Sequence, residues 1–444
     1  MKTNNNKVIF KALLAGLIYS FITWYPVLFN NSNKILSYLL CVVAIILFNV
    51  VLVSSSFKRI HLNHLLKGYY LLVSFLTFCL TSFVLLIVLL SINMLTFSWN
   101  TFYSLLWVLL CGSILFWNAI IRVFSSSVQL GLRSRILGVI FGMVPILNFI
   151  IMLRWLFLIH HELTFEKQKE QEYLTSTKDQ CLTKYPILFV HGVFFRDSNV
   201  LNYWGRIPYH LTQKGAQVFY AKQDSALSVE ETAQQIKDRI LEIVNTTNYQ
   251  KVNIIAHSKG GLDSRYAISC LDIAEHVASL TTINTPHNGC KFAGKILIKS
   301  PDKVVRIVAR LYNSLFKILG DKNADFIASV HDLTYDKCDE LNIIMKNNPN
   351  VFYQGYISKV KKATHARFPL SLSYPIVKHY DGENDGLVSI ESAKSFVNTT
   401  IIENKGNRGI SHADIIDLHR ENIKGFDVRK FYEEIVIDLK QRGY

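Results

Sequence analysis

The first 160 residues contain no aspartate or glutamate, although they hold eleven lysines and arginines. Long uncharged apolar stretches lie between these basic residues. A helix that crosses the hydrocarbon core of a bilayer needs about 20 mostly apolar residues. The stretches are long enough for about five such helices, predicted near residues 12–29, 36–54, 70–91, 102–121 and 136–153. Residues 1–159 are therefore predicted to form an all-α transmembrane bundle.

The basic residues of this bundle are distributed unevenly among its connecting segments. They lie in the N-terminal flank and in the second and fourth loops: Lys2, Lys7, Lys11, Lys58, Arg59, Lys67, Arg122, Arg133 and Arg135. The intervening loops hold only Lys34. Because Lys and Arg mark cytoplasmic loops, five crossings predict a multi-pass protein of the cell membrane with its C-terminal part outside the cytoplasm. If Arg154 belongs instead to a re-entrant fifth segment, that side is reversed.

Charge and cysteine usage exclude several classes of protein. Most of the net charge of +15 lies in the apolar first part, where it sets topology against a bilayer, so no nucleic acid is expected as a partner. A transporter is the functional alternative for the helices, but the carboxylates that mark ion pathways are missing from the sequence before His160. The seven cysteines lack the spacing of a zinc site or a disulfide framework.

The composition changes at residues 160–180, which are rich in Glu, Lys, Gln and Thr and predict a juxtamembrane linker or helix. Beyond them, in residues 181–444, short β-rich runs alternate with helical patterns. This alternation predicts a mostly parallel sheet that is covered on both faces. The runs are Ile187–Val190, Gln217–Tyr220, Val252–Ile255, Ser279–Ile283, Val351–Tyr353 and Thr399–Ile402.

One motif at the end of the third run indicates nucleophilic catalysis. Ser258 lies in Ala-His-Ser-Lys-Gly, directly after a predicted strand and before a predicted helix. A catalytic serine in an α/β-hydrolase projects from such a sharp turn, and its neighbours are small because the turn is tight. Ser258 is therefore the candidate nucleophile. The simpler alternative is a serine that only caps the following helix.

A serine nucleophile needs a base, and in this architecture the acid and the histidine follow it in chain order. Asp385, in Glu-Asn-Asp-Gly-Leu-Val-Ser, and His412, in Gly-Ile-Ser-His-Ala-Asp, have that order. His412 would accept the proton of Ser258, and Asp385 would orient His412. Two simpler interpretations stay open, because Asn-Asp-Gly is also a common turn and Ser411 also suits a helix cap.

The oxyanion of an acyl-transfer reaction needs N–H donors that are already in place. Lys259, the residue after the nucleophile, supplies one backbone N–H, and Val193, in the His-Gly-Val segment after the first run, supplies the second. His191, His257 and His287 lie near these elements but are expected to have structural roles.

Six ordered sequence blocks resemble the bacterial true-lipase family, the triacylglycerol lipases. The blocks begin at Tyr185, Asn202, Lys251, Ser264, Thr285 and Asn384, and read YPILFVHG, NYWGRIP, KVNIIAHSKGG, SRY, TPHNG and NDGLVS. The resemblance runs from about Tyr185 to Asp414. It implies the same triad, Ser258, Asp385 and His412, with oxyanion donors at Val193 and Lys259.

The resemblance also raises the question of a metal ion. Members of the family bind a structural calcium through an Asp two residues after the catalytic His, which Asp414 matches, and through another Asp well before the catalytic Asp. No Asp or Glu lies between Ser358 and Tyr380 to match the second, and calcium takes six to eight oxygen ligands. We therefore expect no required cofactor, and Asp414 is only a weak calcium candidate.

The amphipathic segment 300–346 suggests a helical lid over an acyl pocket, or else a plainly packed helix. Its apolar residues include Val304, Val305, Ile307, Val308, Leu311, Leu315 and Ile318. With the membrane bundle, this predicts a membrane-anchored serine esterase or lipase that acts on lipid esters. An acyltransferase or phospholipase would use the same triad. A membrane transport or signalling protein with an inactive hydrolase domain is the alternative of another class.

Overall fold

The computed structural model describes residues 2–28, 34–50, 57–95, 99–142, 144–193, 202–299, 301–319, 321, 323–396, 398–406 and 408–444. The chain divides into two compact units, Met1–Leu174 and Thr175–Tyr444. Each unit has hydrophobic cores of its own.

Unit 1 is α-helical throughout its described regular structure. Its helices are α1 (Lys2–Leu28), α2 (Lys34–Val50), α3 (Ile60–Ser91), α4 (Trp99–Ser126), α5 (Gly131–Ile140) and α6 (Pro145–Thr175). Four of them, α1, α3, α4 and α6, are long and apolar enough to cross a membrane, and α2 is apolar but shorter. Large apolar side chains on their outer faces, such as Leu80, Phe83 and Leu109, are exposed. A surface of this kind is compatible with insertion into lipid.

The inner faces of α1, α3 and α4 pack closely around a shared core. A Cβ added at Gly16 of α1 would lie 2.6 Å from the backbone oxygen of Ser74 on α3, so the two helices approach each other at a residue without a side chain. Trp24 donates its indole N–H to the hydroxyl of Ser82 over 3.0 Å. Small residues and buried hydrogen bonds of this type hold helices together in a bilayer.

The predicted number of about five apolar helices is approximately right, but the bounds of the fifth need correction. The sequence predicted a span near 136–153, whereas α5 ends at Ile140 and α6 begins only at Pro145. A proline is tolerated in the first turn of a helix but interrupts its interior. Helix α6 then continues to Thr175, through most of the segment that was predicted as a linker or helix.

Unit 2 contains a six-stranded, fully parallel sheet. Its strands are β1 (Ile187–Val190), β2 (Val218–Tyr220), β3 (Val252–His257), β4 (Val277–Ile283), β5 (Phe352–Ser358) and β6 (Thr399–Ile402). Their order is β2-β1-β3-β4-β5-β6, and every neighbouring pair is parallel. All six predicted strands are confirmed, with ends that differ by a few residues.

Helices cover both faces of this sheet. The helices of unit 2 are α7 (Ile207–Gln213), α8 (Val229–Thr246), α9 (Lys259–Cys270), α10 (Lys291–Lys299), α11 (Asp302–Leu319), α12 (Phe326–His331), α13 (Tyr335–Ile344), α14 (Leu370–Asp381), α15 (Ile390–Ala393) and α16 (Val428–Gln441). Ile187 and Phe189 of β1 pack in one core with α7 and α16, whereas Leu188 and Val190 pack in another with α8 and α9. Successive residues of a strand thus serve opposite faces, as a doubly covered parallel sheet requires.

Candidate active site

Ser258 occupies a strained turn between β3 and α9. Its backbone has φ 55° and ψ −132°, a conformation that residues with a side chain rarely adopt. The turn is possible because the neighbouring positions lack side chains. A Cβ at Gly260 would lie 2.4 Å from the backbone oxygen of His191, and one at Gly261 would lie 2.0 Å from the hydroxyl of Thr285. This geometry is that of a nucleophile elbow.

Asp385 and His412 are directly hydrogen-bonded. The Nδ1 atom of His412 lies 2.6 Å from Oδ2 of Asp385, and the backbone N–H of His412 donates to the carbonyl of Asp385 over 3.0 Å. The other carboxylate oxygen, Oδ1, accepts the backbone N–H groups of Leu387 and Val388, each over 2.8 Å. The buried carboxylate of Asp385 is therefore engaged by protein groups at both of its oxygens. It fixes the tautomer that carries the proton on Nδ1 and leaves Nε2 of His412 available as a base.

The loops that carry these residues follow the carboxyl ends of neighbouring parallel strands. Asp385 lies between α14 and α15, after β5, and His412 follows β6. The ring of His412 is 4.4 Å, between centroids, from the ring of His257, the residue that immediately precedes Ser258. The structure therefore brings the predicted acid and base together beside the nucleophile elbow.

The two segments that carry the predicted oxyanion donors meet at Ser258. A Cβ at Gly192 would be 2.7 Å from Cβ of Ser258, so the loop after β1 approaches the elbow closely. Val193, the next residue, is buried, and the continuation of its loop lies outside the described residues. Lys259 is the first residue of α9, where backbone N–H groups have no partner within the helix. The roles of Val193 and Lys259 as donors stay predictions.

The side chain of Lys259 belongs to a buried ion pair that the sequence analysis missed. Its Nζ atom lies 2.6 Å from Oδ1 of Asp263 and 3.2 Å from the hydroxyl of Thr232. Burial raises the pKa of Asp263 to about 7, a rise that Lys259 partly offsets and Asp332 increases. The signal in the sequence was the spacing of four residues on one helix, which places the two side chains on the same face.

His257 has a structural position, as the sequence analysis expected. The hydroxyl of Tyr203 lies 2.6 Å from Nδ1 of His257 and accepts the backbone N–H of Gly192 over 3.1 Å. Burial, and after it the nearby His412, holds the pKa of His257 well below its ordinary value. A neutral ring that is held by Tyr203 does not compete with His412 for a proton.

The other two histidines near the site also buttress the surrounding backbone and helices. The ring nitrogens of His191 lie 2.9 Å and 3.1 Å from the carbonyl oxygens of Gly192 and Gln223. His287 contacts the guanidinium of Arg265 over 3.2 Å. Burial, followed by the charge of Arg265, holds the pKa of His287 well below its ordinary value.

Asn284 is a further residue of the site that sequence reasoning missed. Its side-chain amide donates to Oδ2 of Asp385 and to the hydroxyl of Ser358, each over 2.7 Å. Asn284 directly follows β4 and has φ 46°, a backbone region that Asn tolerates better than most residues. An asparagine at the carboxyl end of a central strand was the available signal, because ligand-binding residues collect at this edge of parallel sheets.

The surroundings of Asp414 do not fit a calcium ion. Its Oδ2 atom accepts the backbone N–H and the hydroxyl of Ser411, over 3.0 Å and 2.6 Å, and its Oδ1 atom accepts a guanidinium N–H of Arg408 over 2.8 Å. Both oxygens are thus engaged by donors of the protein. Among the described residues, no group of three or more His, Cys, Asp or Glu side chains is arranged to hold a metal ion.

The parallel sheet in this strand order, with an elbow after β3 and an Asp–His pair on the loops after β5 and β6, defines an α/β-hydrolase fold. Residues 184–286 match the model of the lipase (class 2) family. A triacylglycerol lipase of Pseudarthrobacter phenanthrenivorans is 32% identical over 34% of this chain and 51% of its own length. Triacylglycerol lipase 2 of Saccharomyces cerevisiae is 26% identical over 55% of this chain and 75% of its own length.

Among solved structures, lipase BlEst2 of Bacillus licheniformis in its mature form matches 57% of this chain and 92% of its own, with 22% identity and a TM-score of 0.43. The chain spans about half the length of the curated relative from Pseudarthrobacter that it matches. The resemblance to the true lipases is confirmed by the family match and the curated relatives.

Proposed function

We propose that this chain is a membrane-anchored serine hydrolase that cleaves carboxylic esters of lipids through an acyl-enzyme on Ser258. The observation that carries the proposal is the 2.6 Å hydrogen bond between His412 and Asp385, beside the elbow of Ser258. The lipase (class 2) match and the triacylglycerol lipases among the relatives support an ester of a fatty acid as the substrate class.

The geometry is suited to two-step acyl transfer. Nε2 of His412 takes the hydroxyl proton of Ser258 as the serine oxygen forms a bond to the ester carbonyl carbon. The backbone N–H groups of Val193 and Lys259 stabilise the negative oxygen of the tetrahedral intermediate. The C–O bond to the alcohol then breaks, and His412 gives its proton to the departing alcohol. In the second step, His412 activates water, which releases the fatty acid and regenerates Ser258.

The location of the substrate follows from the rest of the chain. The four long apolar helices of unit 1 are compatible with membrane insertion and would keep the hydrolase at a bilayer of the cell membrane. The segment 300–346 contains α11, α12 and α13, and we propose that α11 acts as a lid-like element that contacts lipid. The distribution of Lys and Arg supports an extracytoplasmic position for unit 2.

A fluorophosphonate probe tests the nucleophile, because it labels an activated serine covalently. Membranes that contain the wild-type chain should be labelled, and Ser258→Ala should abolish labelling and lower kcat for ester hydrolysis by at least about a thousandfold. Ser269→Ala is the matched control, since Ser269 lies on the same helix, α9, and bonds the carbonyl of Lys346. Equal labelling of the wild type and Ser258→Ala would refute the assignment.

Product analysis separates hydrolysis from the alternatives. With vesicles that contain a triacylglycerol, diacylglycerol or phospholipid, a hydrolase releases free fatty acid, whereas an acyltransferase leaves the acyl group on an acceptor. A wild-type chain that neither reacts with the probe nor cleaves any ester would instead support an inactive hydrolase domain in a membrane protein of another class.

A further inference from the structure

The guanidinium group of Arg408 lies among three oxygen atoms from three separate parts of the chain. Its Nη2 atom lies 2.8 Å from Oδ1 of Asp414 and 3.6 Å from Oε2 of Glu421. Its Nη1 atom donates to the backbone carbonyl of His365 over 2.9 Å. A single cationic side chain therefore gathers two carboxylates and a carbonyl, the types of ligand that hard metal ions bind.

The charges of this cluster balance within the protein. Glu421 also forms an ion pair with Arg367, and the second oxygen of Asp414 accepts both donors of Ser411. Two carboxylates thus face two guanidinium groups. The side chain of Asp414 is only 1% exposed, and a buried carboxylate is costly unless it is paired and hydrogen-bonded.

The cluster is hydrogen-bonded to the turn that carries His412. Ser411 and Asp414, which are bonded to each other, lie on either side of His412 in the sequence. The carbonyl of His365 accepts a second bond, from the backbone N–H of Gly409 over 3.1 Å. The turn is thereby fixed to the loop after β5, and that loop is tied to the loop of Asp385 by the bond from Val360 N–H to the carbonyl of Asn384.

We propose that Arg408 acts as a built-in cation that positions His412 and replaces a structural metal ion. A guanidinium is always charged and presents several donors in a fixed plane, so it can join Asp414, Glu421 and the carbonyl of His365 at once. Its positive charge also repels a divalent ion from the same oxygens. Arg408 is a positioning residue, and its effect on catalysis rests on the proposed role of His412 as the base.

The first test addresses metal dependence in the full-length protein in detergent. Thermal unfolding and the hydrolysis of a soluble short-chain ester are measured after treatment with EDTA and again with added calcium chloride. Both the unfolding temperature and kcat should stay the same within error. A fall of either quantity with EDTA that calcium reverses would overturn the inference.

The second test compares Arg408→Met, Arg408→Lys and a control, Arg442→Gln, which removes the ion pair of Arg442 with Asp438 at the surface. Arg408→Met should lower kcat at least tenfold and leave KM within about twofold, because the substitution displaces His412 but leaves the substrate-binding surface of the protein unchanged. Arg408→Lys should recover part of the loss, since an ammonium keeps the charge but not the planar fork. Arg442→Gln should behave as the wild type.

The outcomes separate this inference from the proposed function. A kcat for Arg408→Met within twofold of that of Arg442→Gln would refute the positioning role. If the wild type cleaves no ester, the proposed function fails. The role of the Arg408 cluster is then tested by the unfolding temperatures of the variants alone. In that case Arg408→Met must unfold several degrees below Arg442→Gln, without any effect of EDTA on the wild type, or the inference fails as well.

Discussion

At the scale of single residues, Asn284 connects the acid of the candidate site to the neighbouring strand. Its amide donates to the carboxylate of Asp385, and its carbonyl oxygen accepts the backbone N–H of Ser358 over 2.7 Å. A hydrogen bond to a charged group contributes about 1.5–3 kcal/mol. The orientation of His412 through Asp385 therefore depends on a residue that does not take part in the chemistry itself.

Replacement of Asn284 by glycine tests this dependence. Asn284→Gly should lower kcat by about tenfold to a hundredfold, because about 1.4 kcal/mol corresponds to a factor of ten, while KM for a soluble ester changes little. Glycine tolerates the positive φ of this position, so the loss reports the side chain. Ser358→Ala is the control, since it removes the second partner of the same amide and keeps the bond to Asp385. An unchanged kcat for Asn284→Gly would show that Asp385 needs no such support.

The residues of the site differ in how far the sequence predicts them. Ser258, Asp385 and His412 stand in motifs with a fixed chain order, and the structure places the latter two in direct contact. The contacts of Asn284 with Asp385 and of Arg408 with His365 join loops that are distant in the chain. A single sequence shows neither contact, because each depends on how the loops at the sheet edge fold back on one another.

At the scale of elements, α11 has two rows of exposed side chains with different chemistry. Ile307, Leu311 and Ile318 are 49%, 66% and 82% exposed, and their spacing places them on one face of the helix. Each is preceded by an exposed basic residue, Arg306, Arg310 and Lys317 respectively, so a cationic row runs beside the apolar one. An amphipathic helix with this arrangement is suited to the interface of a bilayer with anionic headgroups.

The double variant Ile307→Ser and Leu311→Ser tests the role of this helix. Each apolar side chain contributes about 1.5–3 kcal/mol when it is buried, so hydrolysis of a long-chain ester in vesicles should fall at least tenfold. Hydrolysis of a soluble short-chain ester should be unaffected. Leu182→Ser with Ile401→Ser is the matched control, because these residues are 47% and 46% exposed in the same unit. Equal losses on both substrates would contradict a lid-like role and indicate general destabilisation.

The sequence predicted the elements of unit 2 more accurately than those of unit 1. The spacing Ser228-Val-Glu-Glu231 predicts a capping box at the start of α8, and the structure contains both of its hydrogen bonds. In unit 1, the bounds of the fifth span were wrong because hydropathy averages over Gly142 and Pro145 and does not report the break between α5 and α6. Apolar composition gives the number of long helices better than it gives their ends.

At the scale of the whole molecule, the distribution of charge predicts the side of the membrane on which unit 2 lies. Protease treatment of intact cells should degrade unit 2, detected by an epitope tag after Tyr444, because the basic loops of unit 1 are expected in the cytoplasm. Inverted membrane vesicles, as the control, should protect the tag. Protection in intact cells and cleavage in inverted vesicles would place the hydrolase in the cytoplasm instead.

The order of the candidate triad along the chain also determines when during synthesis all of its members are present. The ribosome delivers the N-terminal part first, so β1, β3, β4 and the elbow of Ser258 emerge well before the loop of His412. Strand β6, which leads to that loop, pairs only with β5 at the edge of the described sheet. A nascent chain, or one that ends before His412, therefore contains Ser258 without its proposed base. Under the proposed mechanism, ester hydrolysis can begin only after translation has passed His412, which lies within the last 33 residues of the sequence.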